Sequence, residues 1–275
     1  MLEQIEIIKK DNGVLTLPIY NPTTFFIKDI QGLDPVKANI VTSNFSQMDG
    51  VQYQSSRREM RNLIFKIGID SANIVNTVQD LRKQLYSYLS PKSEITLRFK
   101  HSNTTMPYVL IKAMVESFDS PIFVKDPEAT ISLLCFDPDF YSENSSIFSG
   151  SSVSTSTDSI IAYEGDVETG FIFTFNINRT LSEFTIQNTM SDGFVRKMHF
   201  ISSTFIAGDI IIVSTIPGNK YVRLNRSGVI TSVLWTLDPA SDWLKLYPGE
   251  NLIRVSCTGA AIPYTMEYNL RYGGL

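Results

Sequence analysis

Apolar residues recur at every second position through much of this chain, the spacing of strands with one buried face. Leu63, Phe65, Ile67 and Ile69 share one side of such a run, and Ile95, Leu97 and Phe99 alternate with Thr96, Arg98 and Lys100 in another. Residues 108–118 and 129–136 extend the series. Near the start, residues 4–8 and 14–19 flank Lys10-Asp11-Asn12-Gly13, whose Asn-Gly pair predicts a hairpin turn, and residues 24–30 add a further strand. The period changes once. Ile74, Val78, Leu81, Leu85 and Leu89 are spaced by three and four, which predicts a helix over about residues 73–89. Ser71 or Asn73 would cap it and Pro91 would stop it.

Between a short β-prone run at 38–42 and the strand at 63–69 lies a polar stretch that is predicted to be a long loop. It carries Asn44, Asp49, Gly50, Gln52, Gln54 and the charged group Arg57, Arg58, Glu59 and Arg61. A loop of that length in a compact domain is either a mobile tip or a functional element. Phe45, Met48, Val51 and Tyr53 within it argue against plain disorder, since a disordered segment has nothing for them to bury.

Composition shifts after Tyr141. Of the eighteen residues from 142 to 159, twelve are Ser, Thr or Gly, which predicts a flexible connection between two domains. Beyond it the pattern is all β. Short runs at 170–176, 183–188, 197–201, 209–215, 221–224, 252–257 and 264–270 are separated by Pro217-Gly218-Asn219, Asn225-Arg226-Ser227-Gly228 and Pro248-Gly249-Glu250-Asn251, the signature of a two-sheet sandwich. The expected fold class is therefore mainly β: an α+β domain with one helix over 1–141, a linker over 142–159, and a β-sandwich over 160–275.

Several short motifs, in their order and spacing, resemble the distal tail protein family of long-tailed siphophages. They are Gly32-Leu33-Asp34, Met48-Asp49-Gly50 with the basic group after it, Ile67-Gly68-Ile69, the run Leu134 to Tyr141, the run Leu246 to Ile253, and Arg271-Tyr272-Gly273-Gly274. Together they span most of the chain. The resemblance implies a tube-like first domain that forms a homo-hexameric ring, and a galectin-like or carbohydrate-module-like sandwich projecting from it. It also implies the partners: a tail tube protein, a tail-tip or tail-associated lysin-like protein, and a receptor-binding protein. A chain with that role is assembled in the host cytoplasm and ends in the virion. A ring needs a patch on one copy that meets a different patch on the next. The stretch 47–61 would supply it, with Met48 and Tyr53 as apolar anchors and Arg57, Arg58 and Arg61 as bidentate partners for a neighbour's carboxylates.

Charge and chemistry narrow the alternatives. The two halves, 1–140 and 141–275, carry net charges of −1 and −3, so neither has the basic excess that phosphate binding needs, and sequence-specific nucleic-acid binding is not expected. No apolar run is long enough for a membrane span, and the N-terminus lacks a signal-peptide pattern. The cysteines, Cys135 and Cys257, are expected to be buried free thiols. The histidines, His101 and His199, lack metal-ligand spacing and read as structural, and no phosphate loop, nucleophile elbow or zinc motif is present. No catalytic residue, metal or cofactor is assigned, and the protein is read as a non-enzyme.

Two carboxylate groups, Asp137/Asp139/Glu143 and Glu164/Asp166/Glu168, could in principle hold calcium or serve a glycosidase, but read better as solvated turns. The alternative function is carbohydrate binding through the sandwich. Trp243 and Tyr163 are the candidate sugar or partner contacts, Trp243 as the more exposed tryptophan and Trp235 as core.

Overall fold

The computed structural model describes every residue except 21–23, 47–48, 71–76, 103–107, 123, 154–156 and 191–192, and gives no side-chain account of 203–204. The chain divides into two compact units. One comprises residues 1–143 together with 272–275, and the other residues 144–271.

The first unit is built from β1 (Leu2–Lys9), β2 (Val14–Pro18), β3 (Phe25–Gln31), β4 (Ala38–Ser43), β5 (Gln52–Arg58), β6 (Arg61–Ile69), α1 (Val78–Tyr88), β7 (Glu94–His101), β8 (Tyr108–Asp119), β9 (Glu128–Cys135) and β10 (Phe140–Ser142). Seven strands form one antiparallel sheet in the order β2-β1-β7-β8-β9-β6-β3, with β10 on β8. The sheet curls until its end strands, β2 and β3, lie side by side. The alternation read from the sequence becomes an inside and an outside. Ile5, Ile7, Leu17, Leu63, Phe65, Ile67, Leu97, Phe99, Ile111, Val115, Ile131 and Leu133 fill the interior. The β1–β2 turn places Asn12 at φ 64°, a left-handed position that Asn tolerates better than most residues.

The helix begins later than the predicted 73. Thr77 is its N-cap, receiving the Asp80 amide on its hydroxyl at 3.2 Å while the Asp80 carboxylate accepts the Thr77 amide at 3.2 Å. This reciprocal box, Thr-x-x-Asp, satisfies two helix-start donors and sets the first turn. Ser71, Asn73 and Ile74 fall outside the described residues.

The second unit holds β11 (Ser146–Ser151), β12 (Ser159–Tyr163), β13 (Phe171–Asn176), β14 (Leu181–Thr189), β15 (Val195–Phe205), β16 (Ile210–Ser214), β17 (Tyr221–Arg226), β18 (Val229–Ser232), a 3-10 turn (Leu234–Thr236), β19 (Gly249–Ser256) and β20 (Pro263–Tyr268). They form two sheets, β11-β20-β13-β16-β17-β18 and β12-β19-β14-β15. Phe171, Phe173, Phe175, Tyr264 and Met266 of the first sheet belong to one buried cluster with Phe184, Ile186, Met198, Phe200 and Val255 of the second. Phe175 and Phe184, one from each sheet, lie with ring centroids 4.9 Å apart. This is the sandwich the turn spacing predicted.

The Ser/Thr-rich segment differs from its reading as a flexible connection. Residues 146–151 form β11, paired one to one with β20 from Ser146↔Tyr268 to Ser151↔Pro263. A strand at a sheet edge needs ladder partners more than apolar side chains, and small residues suit this site: a Cβ on Gly150 would fall 2.7 Å from the Tyr264 ring. Ser152 is buried, and its hydroxyl accepts the Ile262 amide at 2.8 Å.

Candidate functional site: an exposed two-stranded arm and its neck

The stretch predicted as a loop is a β-ribbon. β4 and β5 pair antiparallel from Ala38↔Arg58 to Ser43↔Gln52, with a register shift at Val41/Thr42, and form a sheet of their own. Every residue of β5 and all of β4 but Ser43 is exposed. Ile40, Val41, Phe45, Val51 and Tyr53 are uncovered on this arm, Tyr53 at 61%. Local polar bonds dress it: Gln54 Nε2 donates to Ser43 Oγ at 2.8 Å, and the Tyr53 and Ser56 hydroxyls are 2.8 Å apart. Met48 lies outside the described residues.

Where the arm leaves the body, the chain is tightly held. Arg58, the last residue of β5, forks onto Asp139, with Nη2 at 2.8 Å from Oδ2 and Nη1 bonded to Oδ1. The Asp139 side chain is only 2% exposed. Arg61, three residues on, is buried at 1% exposure. Its Nε donates to the Pro138 carbonyl at 2.7 Å, its Nη1 to the carbonyls of Gly32 and Asp34 (2.7 Å to Asp34), and its Nη2 to the Gly273 carbonyl at 2.6 Å. The guanidinium stacks 4.4 Å from the Phe140 ring. Gly32 turns at φ +91°, and a Cβ there would sit 2.1 Å from the Asn62 carbonyl oxygen, so glycine is the residue that lets the two roots of the arm meet. The Glu59 amide donates to the Lys37 carbonyl at 3.0 Å, and the Leu275 amide to the Leu33 carbonyl at 3.1 Å.

Arg61, expected to face a neighbour, has its guanidinium taken up inside its own protomer, whereas Arg58 pairs with Asp139 and keeps a side chain that is 39% exposed. Arg61 continues the inward face of Leu63, Phe65 and Ile67, and an Arg in that register can be buried only where acceptors surround it. Burial pulls its guanidinium below the ordinary arginine value. Arg57 and Tyr53 are exposed on the arm, as a contact role would require. The sequence reading missed Gly32, Pro138 and Gly273 as a group, because backbone carbonyls leave no mark on residue type.

The sandwich candidates also move. Tyr163 is in the core at 2% exposure, its hydroxyl donating to the Val167 carbonyl at 2.7 Å, so it is unavailable to a sugar ring. The two tryptophans exchange roles. Trp243 packs half-buried against the core with Lys220 Nζ 5.4 Å from its ring centroid, whereas Trp235 is 68% exposed on the 3-10 turn. A cleft of about 260 Å³ opens beside His199, lined also by Glu183, Thr185, Ser256 and Cys257. Glu183 and Asp238 carboxylate oxygens lie 3.6 and 3.9 Å from the two His199 ring nitrogens.

The carboxylate groups are dispersed into ion pairs rather than gathered at one point: Asp139 with Arg58, Glu143 with Arg98 at 2.8 Å, Glu168 with Lys245 at 2.6 Å. Among the described residues, no three His, Cys, Asp or Glu side chains converge as a metal site would require. Both cysteines are free and buried, and burial pushes the Cys135 thiol up to about 12. No helix among the described residues is long and apolar enough to cross a membrane.

Two family models match the chain. Residues 14–135 match the phage tail protein RIFT-related domain, and residues 164–272 match the C-terminal domain of the siphovirus-type tail component. The fold is similar to that of the Dit protein of phage SPP1, described as a paradigm of hub adsorption apparatus in phages infecting Gram-positive bacteria. The TM-score is 0.68 at 12% identity, over 97% of this chain and 98% of that one. It is also similar to a chain of the phage P2 baseplate in its activated conformation with calcium, with TM-score 0.53 at 10% identity over 100% of both chains. No curated protein sequence matches.

Proposed function

Because the chain belongs to the siphophage distal tail protein family, and so is a structural component of the phage tail tip, we propose that it acts by closing into a ring through its β4–β5 arm. Six copies is the number the family resemblance implies. The observation that carries this reading is the arm itself. A two-stranded ribbon in water is marginally stable, and this one exposes five large apolar side chains with no core beneath them. A docking site on the next copy would cover them, and a projecting element meeting a different surface is the heterologous contact from which rings are made. Tyr53, Met48 and Arg57 are the contacts proposed on the arm. The ring would join a tail tube protein to a tail-tip or lysin-like protein, and the sandwich would offer a docking face to a receptor-binding protein. The role is structural, without chemistry of its own, and assembly in the host cytoplasm precedes incorporation into the virion.

The test is to replace residues 39–57 by a short Gly-Ser bridge that spares Arg58 and Arg61. Circular dichroism should be retained apart from the lost ribbon, while light scattering moves from a ring mass to the monomer. Negative-stain images of the parent should show rings with a central hole. A full ring from the bridged protein would end the proposal.

A second reading, carbohydrate binding by the sandwich, is favoured by the cleft beside His199 and the exposed Trp235. Glycan-array binding that is lost with Trp235→Ala or His199→Ala would support it, and absence of any binding would remove it.

A further inference from the structure

The arm is exposed along its length and immobilised at its root. The chain enters the arm through residues 32–37 and leaves it through residues 59–61, and Arg61 spans the gap. From the exit side it donates to the Gly32 and Asp34 carbonyls on the entry side, then to the Pro138 carbonyl before β10 and to the Gly273 carbonyl from beyond the entire second unit. Four acceptors from three separate segments converge on one flat guanidinium. Residues 272–275 also meet the entry side directly. The Leu275 amide bonds the Leu33 carbonyl at 3.1 Å, and a Cβ on Gly274 would sit 2.8 Å from the Pro35 ring. Arg58 adds the bidentate grip on Asp139 at the foot of β5.

We propose that this clasp is a positioning device: Arg61, holding residues 273–275 against residues 32–35, fixes the direction in which the arm projects, and self-association depends on it although Arg61 is buried within its own protomer. The proposal rests on the ring reading above and deepens it. A contact element that is already oriented loses less conformational freedom on docking, so the same apolar contacts hold more tightly. Lysine cannot replace this arginine, because its three donors radiate from one nitrogen and cannot reach acceptors spread around a planar fork. A second consequence concerns order. The clasp is complete only when residues that follow the second unit in the chain have folded back onto the first, so a chain whose second unit is still unfolded has a loose arm and does not enter a ring.

The test uses the full chain with spin labels on cysteines introduced at Thr42 on the arm and Lys112 on the body, the native cysteines being buried. Two changes are compared with the parent: Arg61→Lys, and a chain ending at Tyr272. The parent should give one narrow distance peak. Both changed proteins should lose that peak and shift in light-scattering mass toward the monomer, with the far-ultraviolet spectrum of the body retained. A peak that stays narrow in both overturns the proposal. So does full ring mass in proteins whose peak is lost, since assembly would then not need the clasp. Loss of the body spectrum in both would show that the clasp supports the barrel rather than aims the arm, and would overturn it as well. A parent that is monomeric at every concentration would defeat the ring reading, and the distance peak would still decide whether the clasp orients the arm.

Discussion

The carboxylate of Asp139 and the guanidinium of Arg58 meet as a two-pronged pair across 81 residues of chain, joining the foot of the arm to the turn between β9 and β10. One partner is buried and the other is part exposed. Such a pair contributes through geometry more than through attraction alone, because its two parallel bonds permit one orientation.

Asp139→Asn keeps the shape and removes the charge. It should cost about 1–3 kcal/mol, the range for weakening a buried charged hydrogen bond, in urea unfolding of the first unit. Arg58→Ala should cost a similar amount. The double change should cost less than the sum, because the two residues share one interaction. Additive effects in that cycle would mean that the pair is not coupled.

Gly32→Ala should be among the most damaging single methyl additions in the chain. The new Cβ would lie 2.1 Å from the backbone carbonyl of Asn62, a residue of the β6–β9 ladder, at a φ of +91° that L-residues avoid. Strain plus a backbone shift should lower stability by about 3 kcal/mol or more, read as a fall in the thermal midpoint. A midpoint within error of the parent would contradict the close approach.

Thr77→Ala removes the hydroxyl that caps α1. The expected loss is about 1 kcal/mol, with Thr77→Ser restoring most of it. Equal stability of all three proteins would show that the helix start is held by something else.

Alkaline pH should weaken the first unit through Cys135. Its thiol is raised from 9.0 to about 12 in the folded protein, because burial disfavours the thiolate. Above pH 9 the unfolded chain gives up this proton while the folded chain keeps it. Stability contributed by the neutral thiol is therefore whole below pH 9 and is lost as pH rises toward 12, at up to about 1.4 kcal/mol per pH unit. Burial also raises Tyr141 in the same unit, which adds a loss of the same sign. Denaturant unfolding from pH 8 to 11 should show the fall, and Cys135→Ala should flatten part of it. An unchanged slope in that protein would assign the effect to other groups.

Trp243→Ala should destabilise the sandwich by about 1–3 kcal/mol, since a half-buried ring leaves a partial cavity, whereas Trp235→Ala should change stability by less than about 0.5 kcal/mol. The reverse ranking in urea unfolding would contradict the packing of Trp243 against the core.

Much was decided by the sequence alone. The period of two in residues 63–69 and 95–100 already specified which face is buried, because successive side chains on a strand must point opposite ways. The turn residues of the second half and the short motifs pointed to a sandwich and to the family. Three matters were decided only by tertiary structure. The ribbon β4–β5 gives no apolar alternation, since neither face is covered, so its polar sequence reads as loop although its backbone pairs throughout. The Ser-rich strand β11 takes its place from the ladder bonds of β20, which depend on a segment more than a hundred residues away. Arg58 and Arg61 look alike in the sequence as surface cations. Which of them is buried, and on what, depends on the Asp139 carboxylate and on carbonyls from Gly32, Asp34, Pro138 and Gly273, and a backbone carbonyl is the same whatever side chain stands beside it.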